Sequence, residues 1–218
     1  YMGDALNLDN PQTFSEKLQW MKLYDRKPIY TNIVDKYQAK QFLADKIDSK
    51  YIIPNLGVWD NFDEIDFDTL PNQFVLKCTH DSGGIVICKD KSAFDKESAR
   101  RIINRSLKRD YYLIAREWPY KNVPRRILAE EYIDELGSID LLDYKMYSFH
   151  GEPKLTVVCS NRFSMGGTRM DYYDLDWNFI NISILHYKPS NKHYVKPPHY
   201  DEMKMLCKQL SKDFPFLR

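Results

Sequence analysis

The feature that most restricts the fold of this chain is a short polar loop with two glycines, set between two apolar runs. The runs, Phe74–Cys78 and Ile85–Cys88, are rich in β-branched and apolar residues and predict two β-strands. Residues 79–84, between them, read Thr-His-Asp-Ser-Gly-Gly. Gly83 and Gly84 therefore lead from strand into strand, and any fold of this chain has to accommodate that arrangement.

This context separates the known kinds of glycine-rich phosphate loop. Walker loops and dinucleotide-binding loops lead from a strand into a helix, so both are disfavoured. In protein kinases the lysine follows the loop and is accompanied by HRD and DFG motifs, whereas here Lys77 precedes the loop and neither motif occurs. What remains is a lysine that supplies positive charge and glycines that let backbone N–H groups approach phosphate oxygens. An ordinary hairpin with an Asp-Ser-Gly-Gly turn is the alternative interpretation.

Two helical segments precede these strands. Thr13, with Glu16 three residues later, forms a capping-box pattern, which predicts a helix whose apolar residues pack into the core. A second helical pattern runs over residues 32–47. On it, we interpret the pair Asp35 and Lys36 as charge that solvates an exposed face, with a functional role as the alternative.

After the glycine loop, helices are interspersed with strands. Ser92 is the expected N-cap of a helix that ends near Lys108. Further strands are expected over residues 127–133, 142–149 and 154–159, and a last helix over residues 201–212. Helices first, followed by mostly antiparallel strands with interspersed helices, indicate an α+β fold.

Composition excludes several classes of protein. With 32 Lys plus Arg and 31 Asp plus Glu, the chain has a net charge of +1 and no long run of one sign, so nucleic-acid binding through a basic face is not indicated. Its apolar stretches are far shorter than the roughly 18 residues of a transmembrane segment. Four widely spaced cysteines support neither disulfides nor a zinc site, and no secretory signal is visible, so we expect a cytoplasmic protein. Cys78 and Cys88 are expected to be buried strand residues rather than nucleophiles.

A second polar pattern occurs in the later strands. Glu130 and Glu131 come near the end of the strand that begins at about residue 127, and Tyr132 follows them. In the next predicted strand Asp143 and Lys145 fall on one face, because side chains alternate along a strand. A surface ion pair is the alternative interpretation for these last two residues.

Together these motifs resemble the ATP-grasp superfamily. The resembling segments, in chain order, are Lys77, 80–84, 129–133 and 143–145. Flanking sequence looks like the TupA-like ATP-grasp family, named for a teichuronopeptide biosynthesis protein and common among enzymes of bacterial surface polysaccharides. The flanking segments are Pro11-Gln12-Thr13-Phe14-Ser15-Glu16-Lys17-Leu18-Gln19-Trp20, Leu70-Pro71, Phe74-Val75-Leu76-Lys77 and Tyr173-Asp174-Leu175-Asp176-Trp177.

The resemblance implies an ATP-grasp fold in which two lobes hold ATP between antiparallel sheets. It divides the chain into an N-terminal helical region (1–70), a small lobe with the glycine loop (71–125) and a large lobe (126–218). Family members continue past a Phe-Pro-Phe-x-Arg segment into a strand that carries the Mg²⁺ ligands, an Asp and then a Glu or Asn. The present sequence ends at Arg218, so the resemblance implies a truncated large lobe, and the metal ligands in this chain are unknown.

The resemblance also implies a set of site residues. Those expected to bind the nucleotide are Lys77, His80, Asp81, Ser82, Gly83, Gly84, Glu130, Glu131, Tyr132, Ile133, Asp143 and Lys145. The strand lysine would contact the phosphates and the adenine edge, and the loop would close over the β- and γ-phosphates. Backbone groups of residues 130–133 would recognise the adenine amino group. Asp143 would accept hydrogen bonds from the ribose hydroxyls, and Lys145 would reach phosphate. For His80, pairing with phosphate and capping the loop are both open.

Two arginines complete the expected site. Arg162 and Arg169 flank a pair of glycines, and we expect them to clamp an acyl-phosphate or a carboxylate substrate, because a guanidinium group binds such planar anions through two hydrogen bonds. A solvated position in a polar loop is the alternative for both.

The implied activity is that of an ATP- and Mg²⁺-dependent carboxylate–amine ligase that forms a carbon–nitrogen bond through an acyl-phosphate. The resemblance implies an amino acid and a uronic-acid-containing glycan, or its precursor, as substrates in bacterial capsule or surface-polysaccharide synthesis. One alternative is a glycosyltransferase that binds a sugar nucleotide, for which Asp174-Leu175-Asp176 has the form of a metal motif. The other is a non-catalytic nucleotide- or glycan-binding module that uses some of the 16 Tyr and 4 Trp residues.

Overall fold

A computed structural model describes residues 6–133, 142–161, 164, 166–182, 184 and 187–218 of the chain. Over this range the protein consists of helices and two antiparallel sheets, which confirms the α+β class. It divides into two compact units, residues 1–132 and residues 133–218. The three-region division inferred from the sequence remains a prediction.

The first unit contains a four-stranded antiparallel sheet in the order β1-β4-β2-β3. Its strands are β1 (Asn55–Trp59), β2 (Phe74–Cys78), β3 (Ile85–Cys88) and β4 (Ile127–Glu131). Its helices are α1 (Phe14–Tyr24), α2 (Ile29–Val34), α3 (Lys36–Ala44), α4 (Lys96–Leu107) and α5 (Tyr112–Ala115). Short 3₁₀ turns occur at Ser49–Tyr51, Phe62–Glu64, Lys91–Ala93 and Trp118–Asn122.

The core of this unit lies between the sheet and α4. Along β2 the burial alternates, so that Phe74, Leu76 and Cys78 point into the core while Lys77 points to the opposite face. Ile103 of α4 packs into the same core and is fully buried. Each fully buried aliphatic or aromatic side chain of this kind contributes about 2 kcal/mol to stability.

The second unit is built on a five-stranded antiparallel sheet in the order β8-β7-β6-β5-β9. Its strands are β5 (Asp143–Phe149), β6 (Glu152–Ser160), β7 (Arg169–Tyr173), β8 (Phe179–Ile180) and β9 (Phe216–Leu217). Helix α6 (Tyr200–Ser211) packs on one face of this sheet, where the Tyr200 hydroxyl lies 2.8 Å from that of Thr156. The expected strands and the last helix are confirmed to within a few residues.

The first helix is only partly as predicted. The capping box is confirmed, because the Thr13 hydroxyl accepts a hydrogen bond from the Glu16 N–H at 3.2 Å and the Glu16 carboxylate accepts one from the Thr13 N–H at 2.9 Å. The assignment of its apolar residues to the core is wrong: no residue of α1 is buried, and Phe14 and Trp20 are 45% and 39% exposed. Helical periodicity shows which residues share a face and leaves open whether that face is covered.

Two other helix boundaries differ from the expectation. The pattern over residues 32–47 forms two helices, because Asp35 adopts an extended backbone and caps α3 by accepting from the Tyr37 N–H at 2.9 Å. Ser92 does not cap α4; it lies in the preceding 3₁₀ turn, and Asp95 is the N-cap, accepting from the Ser98 N–H at 2.9 Å. Aspartate and serine are equally good N-caps, so the sequence alone does not distinguish Asp95 from Ser92.

Candidate functional site

The glycine loop closes the hairpin between β2 and β3. Lys77 lies opposite Ile85 in the antiparallel register, and the Cys78 N–H donates to the Gly84 carbonyl oxygen at 3.0 Å. Gly83 has a φ of +122°, which side chains of L-residues rarely tolerate, and a Cβ at Gly84 would overlap the Ser106 hydroxyl. The local backbone therefore requires glycine at both positions.

The first half of the loop is anchored inside the unit. Thr79, His80 and Asp81 are all at most 3% exposed. The Asp81 carboxylate accepts a hydrogen bond from the Ser106 hydroxyl of α4, and the His80 Nε2 lies 3.2 Å from the Arg109 carbonyl oxygen. These side chains hold the loop against the C-terminal end of α4.

The tip of the loop is the part that solvent reaches. Ser82 and Gly83 are exposed, and backbone N–H groups in a loop of this kind are able to bind an anion. Burial lowers the pKa of His80, which therefore offers a neutral ring at neutral pH rather than a positive charge. This geometry favours the capping role over the phosphate-pairing role for His80.

Lys36 joins the start of α3 to this loop. Its backbone N–H donates to the Thr79 carbonyl oxygen at 3.1 Å, and its ammonium group donates to the carbonyl oxygens of Cys78, at 3.0 Å, and of Asp81. Burial lowers the pKa of this lysine, with the neighbouring charge of Lys77 acting in the same direction. The interpretation of Lys36 as a charge solvating an exposed face is therefore wrong.

Asp35 is also buried rather than solvated. It is 1% exposed and pairs with Arg126 at 2.8 Å, while the Arg126 guanidinium lies 4.9 Å from the centre of the Tyr37 ring. Asp35 also caps α3. The ion pair therefore links the first turn of α3, which contains Lys36, to the residue that directly precedes β4.

Two further lysines meet at one glutamate on the sheet face that points away from α4. Glu130 pairs with Lys77 through one carboxylate oxygen and with Lys40 of α3, at 2.6 Å, through the other. Burial by itself would raise the pKa of Glu130, but hydrogen bonds from the two lysines outweigh it and the pKa is lowered. Burial lowers the pKa of Lys40, with the charge of Lys77 adding to that effect.

The four residues from Glu130 to Ile133, which are expected to lie beside the adenine, have different surroundings. The Glu130 backbone lies within the sheet, opposite Val75. Glu131 is exposed and its N–H donates to the Pro54 carbonyl oxygen at 3.3 Å. The Tyr132 ring lies 5.8 Å from the Lys89 ammonium, and Ile133 is 49% exposed.

Three of the remaining expected site residues lie in the second unit. Asp143 and Lys145 share one face of β5, as expected, and form an ion pair with each other. Arg169 begins β7, opposite Ser160. The fourth, Arg162, lies outside the described residues.

The Asp174-Leu175-Asp176 segment is a hairpin turn between β7 and β8. The Asp174 carboxylate accepts from the backbone N–H groups of Asp176 and Asn178 at 2.9 and 2.8 Å, and from the Asn178 side-chain amide at 2.9 Å. These bonds, the side-chain bond above all, lower the pKa of Asp174. Trp177, in the left-handed region with φ of +72°, stacks on Tyr173 with ring centres 4.6 Å apart. The carboxylate serves the turn, which leaves the glycosyltransferase metal motif without support.

Metal and membrane motifs can be checked over the described part of the chain. No group of three or more His, Cys, Asp or Glu side chains there is placed to hold a metal ion. Among the helices that the structure describes, none has the length and apolar content to cross a membrane. Cys78 and Cys88 are buried as predicted, and burial raises the pKa of Cys78 to about 11, so its thiol is protonated at neutral pH.

Sequence reasoning missed Lys40 and Arg126, and it assigned Asp35 and Lys36 to an exposed face. The one local signal was an aspartate directly before a helical run, which indicates an N-cap, but nothing near it in sequence indicates that the following lysine reaches residues 78 and 81.

An α+β chain with two antiparallel sheets and a lysine-flanked glycine loop between neighbouring strands fits the ATP-grasp class. A family model for TupA-like ATP-grasp proteins matches residues 16–218, nearly the whole chain. The chain therefore belongs to the TupA-like ATP-grasp family, as the motifs predicted, and is an ATP-grasp ligase-type protein. No curated protein and no solved structure matches it.

Proposed function

We propose that this chain binds ATP through the glycine loop and the lysines beside it, and uses the ATP to join a carboxylate to an amine. The observation that carries the proposal is that Lys36 contacts the glycine loop through the Asp81 carbonyl oxygen, while Lys77 and Lys40 share the carboxylate of Glu130. Burial, and to a smaller extent the charge of Lys77, lowers the pKa of Lys36 and of Lys40, so an anionic ligand beside them would stabilise their charged forms.

The phosphate chain of ATP fits these residues. Lysine ammonium groups supply point charges for phosphate oxygens, and the backbone N–H groups of the exposed residues Ser82 and Gly83 supply hydrogen-bond donors. The Lys36 ammonium donates hydrogen bonds to two loop carbonyl oxygens. We therefore expect its contacts to change when the loop binds a phosphate group.

In the proposed reaction the protein positions reactants and neutralises charge. A carboxylate oxygen of one substrate bonds to the γ-phosphorus while the bond to the ADP oxygen breaks. The amine nitrogen then bonds to the acyl carbon, the carbon–oxygen bond to phosphate breaks, and the amine loses a proton. Lysines beside the transferred group stabilise its charge, which is the main protein contribution to such steps. Arg162 and Arg169 are proposed to hold the carboxylate or the acyl-phosphate.

The family implies magnesium, which would supply positive charge to offset that of the phosphate oxygens. The described residues contain no carboxylate cluster that fits the ion. The steps above are therefore assigned to this chain's own cationic side chains and backbone donors.

The substrate proposal is an amino acid and a uronic-acid glycan or its precursor. Membership of the TupA-like family supports it. A ligand-binding module without catalysis is the second candidate, because the described residues include no metal-binding cluster.

The test is thermal stabilisation by ATP, ADP, UDP-sugars and free sugars, each with and without Mg²⁺. The proteins are the wild type, Lys77→Ala, Lys36→Ala and the control Lys17→Ala, whose lysine is exposed on α1. A ligand at 100 times its Kd adds about 2.7 kcal/mol to the stability of the native state. We expect adenine nucleotides to stabilise the wild type and the control but neither site variant, and unliganded melts show whether each variant is folded.

Catalysis is tested separately by phosphate release from ATP in the presence of an amino acid, a uronic acid, both or neither. Release that needs the uronic acid, with hydroxylamine able to replace the amine, supports an acyl-phosphate. Stabilisation by UDP-sugars or free sugars, with no effect of ATP, contradicts the ligase proposal. ATP binding without release under any condition favours the binding module.

A further inference from the structure

The first unit carries an exposed apolar surface that the proposed reaction does not use. Leu113 and Ile114, consecutive residues of α5, are 54% and 61% exposed. On α1, Trp20 and Leu23 are 39% and 45% exposed. Exposed single apolar residues are ordinary, whereas several on adjacent elements mark an interaction surface.

A direct contact shows that the two elements adjoin. The Lys22 ammonium of α1 donates to the Ala115 carbonyl oxygen of α5 at 3.0 Å. On α1, Leu23 directly follows Lys22 and is exposed beside that contact. We call the surface made by Leu23, Leu113, Ile114, Arg116 and Lys121 the α1–α5 surface.

Cationic side chains border this surface. Arg116 and Lys121 both lie over the Tyr112 ring, at 5.6 and 5.9 Å from its centre, which places them beside Leu113. Both are exposed, and within the described residues neither forms an ion pair.

The chain segment that contains α5 is rich in basic residues. Residues 99–126 contain nine Lys and Arg and two acidic residues, and four of the nine, Arg100, Arg109, Arg125 and Arg126, are ion-paired with carboxylates. Arg101 and Arg105 lie on one face of α4 and Lys108, its C-cap, follows at the same helical spacing. All three are exposed, and they form no ion pair among the residues that the structure describes. Of the two acids, Asp110 is paired with Arg125 at 3.5 Å.

We propose that the α1–α5 surface docks this protein onto a membrane that contains anionic lipids, with Leu113, Ile114 and Leu23 entering the headgroup region and the basic residues contacting lipid phosphates. A polyanion such as nucleic acid would need the charges but not the exposed aliphatic side chains. A purely apolar partner would need the aliphatic side chains but not the charges. A lipid surface uses both, since apolar insertion and attraction to anionic headgroups add together.

The test is co-sedimentation of the full chain with vesicles of phosphatidylcholine, alone or mixed with phosphatidylglycerol. The apolar variant is Leu113→Ser with Ile114→Ser, and the basic variant is Arg116→Ala with Lys121→Ala. The controls change equally exposed residues of the second unit: Met205→Ser with Val195→Ser, and Lys154→Ala with Lys192→Ala. Because all these side chains are exposed, each variant is expected to keep the wild-type melting temperature.

We expect the wild type and both controls to bind the anionic vesicles and not phosphatidylcholine alone. Loss of two basic residues weakens the partition about 30-fold, and loss of the two aliphatic residues weakens it at least about tenfold. Ile114→Ser alone gives an intermediate loss. Both docking variants keep the ATP response of the wild type, so a failure here is distinguishable from a failure of the proposed ligase function.

Three results overturn the proposal. One is no binding of the wild type to anionic vesicles. Another is full binding of the apolar variant to anionic vesicles, together with equally strong binding of the protein to a soluble polyanion. That result assigns the surface to polyanions. The third is concentration-dependent self-association in sedimentation velocity that the apolar variant abolishes, which assigns the surface to a second copy of this chain.

Discussion

Glu130 shows how a single buried side chain organises the candidate site. Its carboxylate is almost completely buried, and it contacts Lys40 and Lys77 at once. Removing one partner from such a group leaves charge uncompensated in a poorly solvated place, which is strongly destabilising. The glutamate therefore holds the two lysines where the proposed phosphate site needs them.

Replacement of Glu130 by Gln is expected to lower stability at pH 7 by about 3 kcal/mol. Folding lowers the pKa of this carboxyl from its ordinary 4.5, so its contribution is complete above that pH and is lost as the pH falls toward the lowered value. The stability gap between wild type and Glu130→Gln should therefore narrow below about pH 4.5. Urea unfolding between pH 7 and pH 3.5 measures it.

The neighbouring Glu131→Gln is the matched control. Glu131 is exposed, and among the described residues the lysine ion pairs of this strand are made by Glu130. It is expected to change stability by less than about 0.5 kcal/mol at every pH. A gap between wild type and Glu130→Gln that stays constant down to pH 3.5 would contradict the role given to the ionised carboxylate.

Lys77 and the two glycines were found from the sequence because their meaning is local. A lysine at the end of an apolar run and two glycines in a turn are visible within ten residues. Lys36 was assigned to solvent because its partners are the carbonyl oxygens of residues 78 and 81. Backbone carbonyl groups carry no sequence signal, so no pattern of residue types reveals that contact.

At the scale of elements, α4 shows the limit of local signals. Ser92 and Asp95 both precede the helical run, and each is a favoured capping residue. The chain uses Asp95, while Ser92 belongs to a 3₁₀ turn in which Asp90 accepts its N–H at 3.0 Å. Which residue caps the helix depends on where Phe94 and Ile103 enter the core, and the sheet sets those positions.

Asp95→Ala is expected to destabilise the chain by about 1 kcal/mol, because the Ser98 N–H loses its acceptor at the start of α4. Ser92→Ala should cost less than about 0.5 kcal/mol, as for surface changes away from such features. Chemical denaturation of both variants decides the matter. An equal or larger effect of Ser92→Ala would restore the boundary that the sequence suggested.

At the scale of the whole molecule, each unit has its own sheet and its own apolar core. In the first unit, Phe62, Phe67 and Phe74 form a chain of ring contacts with centres 5.5 and 6.2 Å apart. In the second, Val157, Cys159 and Tyr172 form a separate buried cluster. A unit with its own core is able to fold as an independent domain.

Residues 1–132 expressed alone are therefore expected to unfold cooperatively, with coincident urea transitions by circular dichroism and tryptophan fluorescence. Gly84→Ala in this fragment is expected to cost about 2 kcal/mol, because the new Cβ overlaps Ser106. Gly166→Ala in the full chain is the matched control, since a Cβ there meets only ordinary contacts. Broad, non-coincident transitions of the fragment would show that its core is insufficient.

The sequence by itself determined the strands, the capping box of α1, the glycine loop and the family, because each depends on residues close together in the chain. Only the tertiary structure decided that Asp35 meets Arg126, that Lys36 clamps the loop, and that α1 leaves its aromatic face exposed. These features depend on contacts between residues up to 91 positions apart. Burial and ion pairing are properties of the packed chain, and local propensity does not contain them.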